Sequence, residues 1–160
     1  MDMEYFMRLA LEEARAAFWD NEVPVGCVIV REGAIIGRGR NRCARLKNSL
    51  RHAEMLAIDE ACAAVGDWRL SDCSLFVTVE PCPMCAGAII MTRVGTVYYG
   101  ARNPKAGCAG SILNVLEEPR FNHRAAVIGG VLEAECGALM TEFFKTNFRS
   151  PAASSAQSGQ

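Results

Sequence analysis

The sequence lacks several features that would assign it to a specialised class of protein. None of its 160 residues belongs to an apolar run near twenty residues long, the length that a membrane-spanning helix needs, so we expect no membrane span and no membrane partner. Met1–Glu4 lack the basic and then apolar pattern of a secretory signal, so we expect no export signal. The sequence contains no internal repeat. A chain of this length is long enough for one domain with its own core.

The cysteines lack the spacing of a disulfide-bonded domain. Eight are present, but six of them stand singly and several lie within apolar stretches, as is typical of reduced cysteines. The composition, with 51% hydrophobic and 22% charged residues, is that of an ordinary globular protein. We therefore expect the protein to be cytoplasmic.

The net charge of −1 does not by itself indicate a nucleic-acid-binding protein, but the charges are unevenly distributed. Residues 33–53 contain six basic residues and no acidic one: Arg38, Arg40, Arg42, Arg45, Lys47 and Arg51. Residues 81–116 contain three basic residues and again no acidic one: Arg93, Arg102 and Lys105. Two such stretches suit a polyanionic substrate, although solvated charged loops would show the same pattern.

The spacing of apolar residues predicts alternating helices and strands. Helices are expected at 2–21, 52–65, from 81 to about 93, and at 133–148; strands are expected at 23–30, 34–41, 74–79, 96–100 and 126–131. Residues 42–51 are expected to form a loop, and so is 101–123, with a short helix near 111–116. This order implies an α/β protein whose mixed sheet carries helices on both faces.

Two short motifs carry the chemistry. His52-Ala53-Glu54 precedes Pro81-Cys82-Pro83-Met84-Cys85 by about thirty residues, an arrangement that matches the signature of zinc-dependent nucleobase deaminases. One imidazole and two thiolates suit zinc, and three protein ligands leave a fourth position open for water. The carboxylate of Glu54 then serves as the acid and base that moves protons during hydrolytic removal of an amine.

Other interpretations of single residues remain open at this stage. His123 or another cysteine would complete a four-ligand structural zinc site, and Cys82 with Cys85 alone would suit a redox pair. His123 also suits a loop or interface position. Asn41 suits a turn, and Phe143-Phe144 suit core packing of the last helix.

Longer segments resemble the bacterial tRNA-specific adenosine deaminases. They comprise Glu22–Gly26, Asn41, Leu75–Ile90, Val97–Ser111 and Asn122–Arg124, and the resemblance extends to about Arg149. These segments are more specific than the zinc signature, which cytidine, cytosine and guanine deaminases share. The resemblance implies a three-layer α/β/α cytidine-deaminase-like fold with a mixed five-stranded sheet. It also implies one zinc-dependent deaminase domain over residues 1–149, while 150–160, rich in Ser, Ala and Gln, are expected to be a disordered tail.

The resemblance further implies a homodimer that binds a tRNA anticodon stem-loop and converts the wobble adenosine to inosine. It assigns one Zn²⁺ per chain to His52, Cys82 and Cys85 and makes Glu54 the proton shuttle. The remaining substrate-binding residues that it implies are Asn41 on the purine, Val25 and Ala53 lining the base pocket, and Asn103, Lys105 and Phe144 near the flanking nucleotides.

The chain departs from the bacterial pattern at two places. Asn48–Arg51 stand where many members have Asp-Pro-Thr-Ala, and Asn103 stands where Asp is usual. Both departures concern RNA contacts rather than zinc chemistry. The alternative functions are a free-base guanine or cytosine deaminase and an inactive zinc-containing nucleic-acid-binding subunit. The basic stretches and the long 101–123 loop argue against the first, and Glu54 argues against the second.

Overall fold

The computed structural model describes residues 1–149 and contains five helices and five strands in that part of the chain. The helices are α1 (Met3–Trp19), α2 (Cys43–Leu46), α3 (Ala53–Val65), α4 (Pro83–Met91) and α5 (Glu133–Arg149). The strands are β1 (Gly26–Arg31), β2 (Ala34–Arg40), β3 (Ser74–Val79), β4 (Thr96–Ala101) and β5 (Ala126–Ile128). The tail predicted at 150–160 lies outside the described residues. None of the helices within residues 1–149 has the length and apolar character needed to cross a bilayer.

The strands form one mixed sheet in the order β2-β1-β3-β4-β5. β1 runs antiparallel to both β2 and β3, whereas β3, β4 and β5 are parallel. Because successive side chains of a strand point to opposite faces, Ile29 packs with α3 and α4 while Val28 and Val30 pack with α1 and α5. The predicted three-layer α/β/α arrangement with a five-stranded sheet is confirmed.

Two predictions in the first half of the chain were wrong, the start of β1 and the conformation of residues 42–51. β1 begins at Gly26 rather than at Val23, because Pro24 has no N–H to donate to a neighbouring strand and the N–H of Val25 bonds to the carbonyl of Val23 instead. The loop predicted at 42–51 contains the short helix α2. The buried carboxylate of Glu22 explains this helix, because it accepts hydrogen bonds from the first N–H groups of α2.

Two predictions in the second half also need correction. Residues 111–116 form no helix within the described chain; Ala109 and Asn114 pair as an isolated antiparallel bridge instead. β5 ends at Ile128 rather than at Val131, since Gly130 turns the chain with φ of +82° toward α5. The segment from 102 to 125 is held by backbone hydrogen bonds within itself, such as Val115 to Cys108 and Ala125 to Leu116, and is joined to the residues before α4 by the bond from Cys108 to Pro81.

Candidate active site

The metal-binding side chains predicted from the sequence stand at the starts of two helices. His52 is the residue before α3 and Cys82 is the residue before α4, and both have an extended backbone with φ of −75°. Neither side chain caps its own helix, so each is available for another partner. Pro83 follows Cys82 at the first helical position, where its missing N–H costs nothing. Cys85 follows one turn later and is fully buried.

The three side chains converge to a spacing that fits zinc. The Nδ1 atom of His52 lies 3.6 Å from the Sγ of Cys82 and 3.5 Å from the Sγ of Cys85. Tetrahedral zinc with typical Zn–S and Zn–N bonds would separate sulfur and nitrogen by about 3.6 Å. All three donor atoms lie within 4.8 Å of one another. The donor set and its geometry therefore fit a tetrahedral zinc ion with one position left open.

The pKa values of Cys82 and Cys85 also favour binding of a cation. A hydrogen bond from Cys85, followed by one from His52, lowers the pKa of Cys82 to about 4. The same contact with Cys82, together with burial, raises the pKa of Cys85. The pair thus holds one thiolate readily, and a bound cation would displace the remaining proton.

Glu54 lies beside these ligands in the first turn of α3 and is only 3% exposed. Burial raises its pKa to about 6, because the charged form loses its hydration. A carboxyl group with a pKa in this range can both accept and donate a proton near neutral pH. The predicted proton shuttle therefore has the environment that this role needs.

A glycine in the edge strand lets α3 approach the sheet closely enough to place His52 and Glu54. A Cβ atom on Gly39 would lie 2.1 Å from the carbonyl oxygen of Ala53 and 2.7 Å from the backbone nitrogen of Ala57. Any larger residue would push the start of α3 away from β2. The positions of His52 and Glu54 therefore depend on residue 39 having no side chain.

Asn41 also holds the start of α3 in place, through a hydrogen bond with its first residue. Its Oδ1 atom accepts a hydrogen bond from the N–H of Ala53 at 2.9 Å, and its own N–H bonds to the carbonyl of Val25. Asn41 is 8% exposed. It is therefore more than the turn residue that the sequence also allowed, because it connects β2, the segment before β1 and α3.

A cavity of about 290 Å³ opens beside the candidate metal ligands. This volume is at the lower end of the range for small-molecule sites, about 300–1,000 Å³, and suits a single base rather than a whole nucleotide. Its lining includes six predicted site residues: Val25, Asn41, His52, Glu54, Cys82 and Asn103. Ala53 lies behind this wall, fully buried and bonded to Asn41 through its N–H.

A larger cavity of about 650 Å³ adjoins the first and shares Val79, Asn103 and Met140 with it. Lys105 and Phe144, which the resemblance placed near flanking nucleotides, line this second cavity. Phe144 is 44% exposed, whereas Phe143 is buried, so only Phe143 follows the core-packing interpretation. The structure thus divides these predicted residues between a small cavity beside His52 and a larger neighbouring one.

Comparisons with known proteins agree with this geometry. The profile of the MafB19-like deaminase family matches residues 1–147. The tRNA-specific adenosine deaminase of Bacillus subtilis (strain 168) is 51% identical over 142 residues, which cover 89% of this chain and 88% of that protein. The chain belongs to the tRNA-specific adenosine deaminase family.

Solved structures of similar fold include deaminases acting on different substrates. A tRNA:A34 deaminase studied for A-to-I editing at the wobble position of transfer RNA has a TM-score of 0.81 and 42% identity, covering 84% of this chain and 98% of that one. The guanine deaminase of Nitrosomonas europaea has a TM-score of 0.76 and 28% identity, covering 88% of this chain and 83% of that one. The tRNA deaminase is thus the more similar of the two in both sequence and structure.

The sequence-based site assignment missed six residues that line the small cavity of this family member: Glu22, Val23, Cys43, Val79, Glu80 and Met140. Glu80 carried a visible signal, since it is a charged residue at the end of the apolar strand β3. Glu22 is likewise a charged residue at the border of an element, in the short segment between α1 and β1. Met140 belongs to α5, about ninety residues from His52, and only the tertiary structure brings it to the site.

Ion pairs divide the first basic stretch of the sequence into two groups. Arg38 and Arg40 contact Glu13 of α1, and Arg40 and Arg45 contact Asp20. Arg42, Lys47 and Arg51 have no ion pair among the described residues. The stretch is therefore less positive than its sequence suggests, because Glu13 and Asp20 each contact two of its arginines.

The structure also decides between the interpretations of His123. Its Nε2 atom lies 2.7 Å from the carbonyl oxygen of Val94, a hydrogen bond that anchors the loop before β5. Among residues 1–149, the metal-binding group comprises His52, Cys82 and Cys85 without a fourth protein donor. A closed structural zinc site with His123 as a ligand is therefore excluded, and so is a cysteine pair isolated from histidine.

Proposed function

We propose that this chain is a zinc-dependent hydrolase that converts the wobble adenosine of a tRNA anticodon to inosine and releases ammonia. The observation that carries the proposal is a tetrahedral His52, Cys82 and Cys85 donor set with buried Glu54 beside a base-sized cavity. The names of the relatives support the choice of tRNA adenosine over other amines.

His52, Cys82 and Cys85 would hold one zinc ion per chain. When bound, zinc lowers the pKa of a water molecule in its open position toward about 7 and so supplies a nucleophile at neutral pH. The positive ends of α3 and α4 point at the ligands, and this favours the thiolate forms that zinc binds.

Glu54 moves the protons of the reaction. It accepts one proton from the attacking water as the oxygen bonds to C6 of adenine, and it delivers that proton to N1. It then accepts the second proton of the water and passes it to the amino group, which leaves C6 as ammonia. The products are inosine and ammonia, so the water is fully accounted for and Glu54 ends in its starting form.

The small cavity would receive the unstacked adenine. With the Oδ1 atom of Asn41 committed to Ala53, its Nδ2 group is the end available to donate to a purine nitrogen. Val25 offers apolar contact with the ring, and the backbone of Ala53 completes the wall of the base pocket. An anticodon loop lowers the cost of extruding the base, since its nucleotides are not paired.

The adjoining cavity favours a polynucleotide over a free base. Its exposed Lys105 and half-exposed Phe144 are suited to a phosphate and a stacked base, and Asn103 lies at the border of both cavities. A free guanine or cytosine would fill the small cavity and leave the second one empty. We therefore assign these three residues to the flanking nucleotides.

We also propose a homodimer, a single domain over residues 1–149 and a cytoplasmic location. Large apolar side chains exposed on the monomer, among them Met91, Ile112 and Leu113, support association between copies. All eight cysteines are free, as suits a reducing compartment. Sedimentation of the purified protein tests the dimer.

The decisive experiment is incubation of the zinc-loaded protein with bulk tRNA, followed by detection and mapping of inosine. We expect inosine at the wobble position with the wild type. Glu54→Ala should retain zinc and fold but lose at least about 10²–10⁴-fold in turnover. Deamination of free guanine or cytosine with no inosine in tRNA would refute the proposal in favour of a free-base deaminase.

A further inference from the structure

Glu80 is a buried carboxylate that the reaction described above does not use. It is 2% exposed and stands at the end of β3, directly before Pro81 and the metal ligand Cys82. No described Lys or Arg forms an ion pair with it. An unpaired carboxylate buried in this way needs several hydrogen bonds to remain stable.

The hydrogen bonds all come from the segment 103–111, named here the 103–111 loop. The Oε1 atom of Glu80 accepts from the N–H of Asn103 at 3.1 Å and from the hydroxyl of Ser111. The Oε2 atom accepts from the N–H of Ala109 at 2.9 Å and from the N–H of Ser111 at 3.1 Å. Burial alone would raise the pKa of Glu80, but these bonds outweigh it and hold that pKa below its usual range.

Four donors occupy the acceptor capacity of this carboxylate. A carboxylate offers about four lone-pair positions, two on each oxygen, and each oxygen of Glu80 already accepts two bonds. Although Glu80 lines the small cavity, it has no free position with which to bind a substrate. Its interactions are directed at the loop.

The 103–111 loop is shaped around the carboxylate. A Cβ atom on Gly107 would lie 2.4 Å from the Oε2 atom of Glu80 and 2.5 Å from the carbonyl oxygen of Asn103. The side chain of Asn103 accepts from the N–H of Ala106, and its carbonyl accepts from the N–H of Gly107, which closes a tight turn around Lys105. Cys108 donates its N–H to the carbonyl of Pro81 and so joins the loop to the start of α4.

We propose that Glu80 is a positioning residue for substrate binding. Its carboxylate holds the 103–111 loop, and hence Asn103 and Lys105, at a fixed position relative to Cys82 and Cys85, which follow Glu80 in the chain. The role of Asn103 and Lys105 in this inference rests on the proposed function. Glu80 acts through the loop and touches neither the base nor the reacting atoms.

Replacement of Glu80 by glutamine isolates this role because it preserves size. A glutamine oxygen can still accept from Ala109 and Ser111, but its NH₂ group then faces the N–H of Asn103, which loses its acceptor. Loss of a charge-assisted hydrogen bond should increase loop opening by about tenfold or more. Gly107→Ala should give the same result from the loop side, since its Cβ would displace the carboxylate.

Limited trypsin digestion and steady-state kinetics test the inference on the zinc-loaded protein. Trypsin cleaves after Arg102 and Lys105, which flank and lie within the turn. We expect both Glu80→Gln and Gly107→Ala to be cleaved there about tenfold faster or more, with zinc retained. KM for an anticodon stem-loop should rise by a similar factor while kcat changes much less.

Glu22→Gln is the matched control, because Glu22 is an equally buried carboxylate that binds backbone N–H groups of α2 instead. It should leave cleavage after Arg102 and Lys105 unchanged. Unchanged cleavage in both test variants, or loss of zinc or kcat with an unchanged KM, would overturn the inference. If the wild type does not modify tRNA, the proposed function fails, while the digestion still decides whether Glu80 holds the loop.

Discussion

The ion pairs of the structure predict how strongly RNA binding depends on salt. The two basic stretches contain nine cations, but Arg38, Arg40 and Arg45 are paired with Glu13 of α1 or with Asp20 directly after it. Arg93 stands over the ring of Trp68 and donates to the carbonyl of Ile90. The five cations left for phosphates are Arg42, Lys47, Arg51, Arg102 and Lys105.

The expected size of this salt dependence follows from the release of counterions from RNA when the protein binds. On a single strand the slope of log affinity against log salt is about −0.7 per neutralised phosphate, so five contacts give about −3.5 and nine would give about −6.3. Between about 50 and 200 mM salt, the first slope weakens binding about 130-fold and the second about 6,000-fold. The two cases differ enough to be separated by a simple titration.

The assay uses the Glu54→Ala protein, which should bind without turnover, and a labelled anticodon stem-loop followed by fluorescence anisotropy. Lys105→Gln should reduce the slope by about 0.7, because an exposed and unpaired cation is removed. Arg38→Gln is the control and should leave the slope unchanged, since Glu13 already offsets Arg38. A slope beyond about −5 for the parent, or equal effects of the two substitutions, would refute this division of the charges.

Three further predictions concern the metal, the packing of α3 and the sugar of the substrate. Cys85→Ala should lose zinc by metal analysis and lower the melting temperature, because ligation and folding are coupled; full zinc occupancy would exclude Cys85 as a ligand. Gly39→Ala should destabilise the protein by about 1–3 kcal/mol and reduce turnover, because its Cβ would strike the backbone of α3, whereas Gly87→Ala, with open space and a helical position, should stabilise it by about 0.5–1 kcal/mol in the same denaturation assay. If both glycine variants unfold alike, close packing at Gly39 is not the cause. Asn103→Asp should increase the ratio of RNA to DNA turnover on matched hairpins, since a charged acceptor bonds a ribose 2′-OH more strongly than a neutral amide does; an unchanged ratio would show that this position does not read the sugar.

Local patterns in the amino-acid sequence were enough to predict most of the fold and to name the candidate metal site. The short, nearly continuous apolar run Ser74–Val79 predicted β3 with the bounds that the structure has, and Gly66 marked the end of α3. The candidate metal ligands could be named because His-x-Glu and Pro-Cys-x-x-Cys are local patterns whose donor types suit zinc. Such features depend on neighbours within one helical turn or one strand, so they can be read without tertiary contacts.

Contacts between distant parts of the chain show which charged and polar side chains are already paired and which are available for a substrate. Arg38 and Lys47 look equivalent in the sequence, yet only Arg38 meets a carboxylate, which α1 supplies from about twenty-five residues away. In the sequence, Glu80 is a charged residue at the end of an apolar strand, and nothing there identifies its partners. In the fold, Asn103, Ala109 and Ser111 donate hydrogen bonds to its two carboxylate oxygens. Pairing between distant side chains depends on angstrom-scale distances that hydrophobic periodicity does not encode, because periodicity specifies which face of an element is buried and not which partner it meets there.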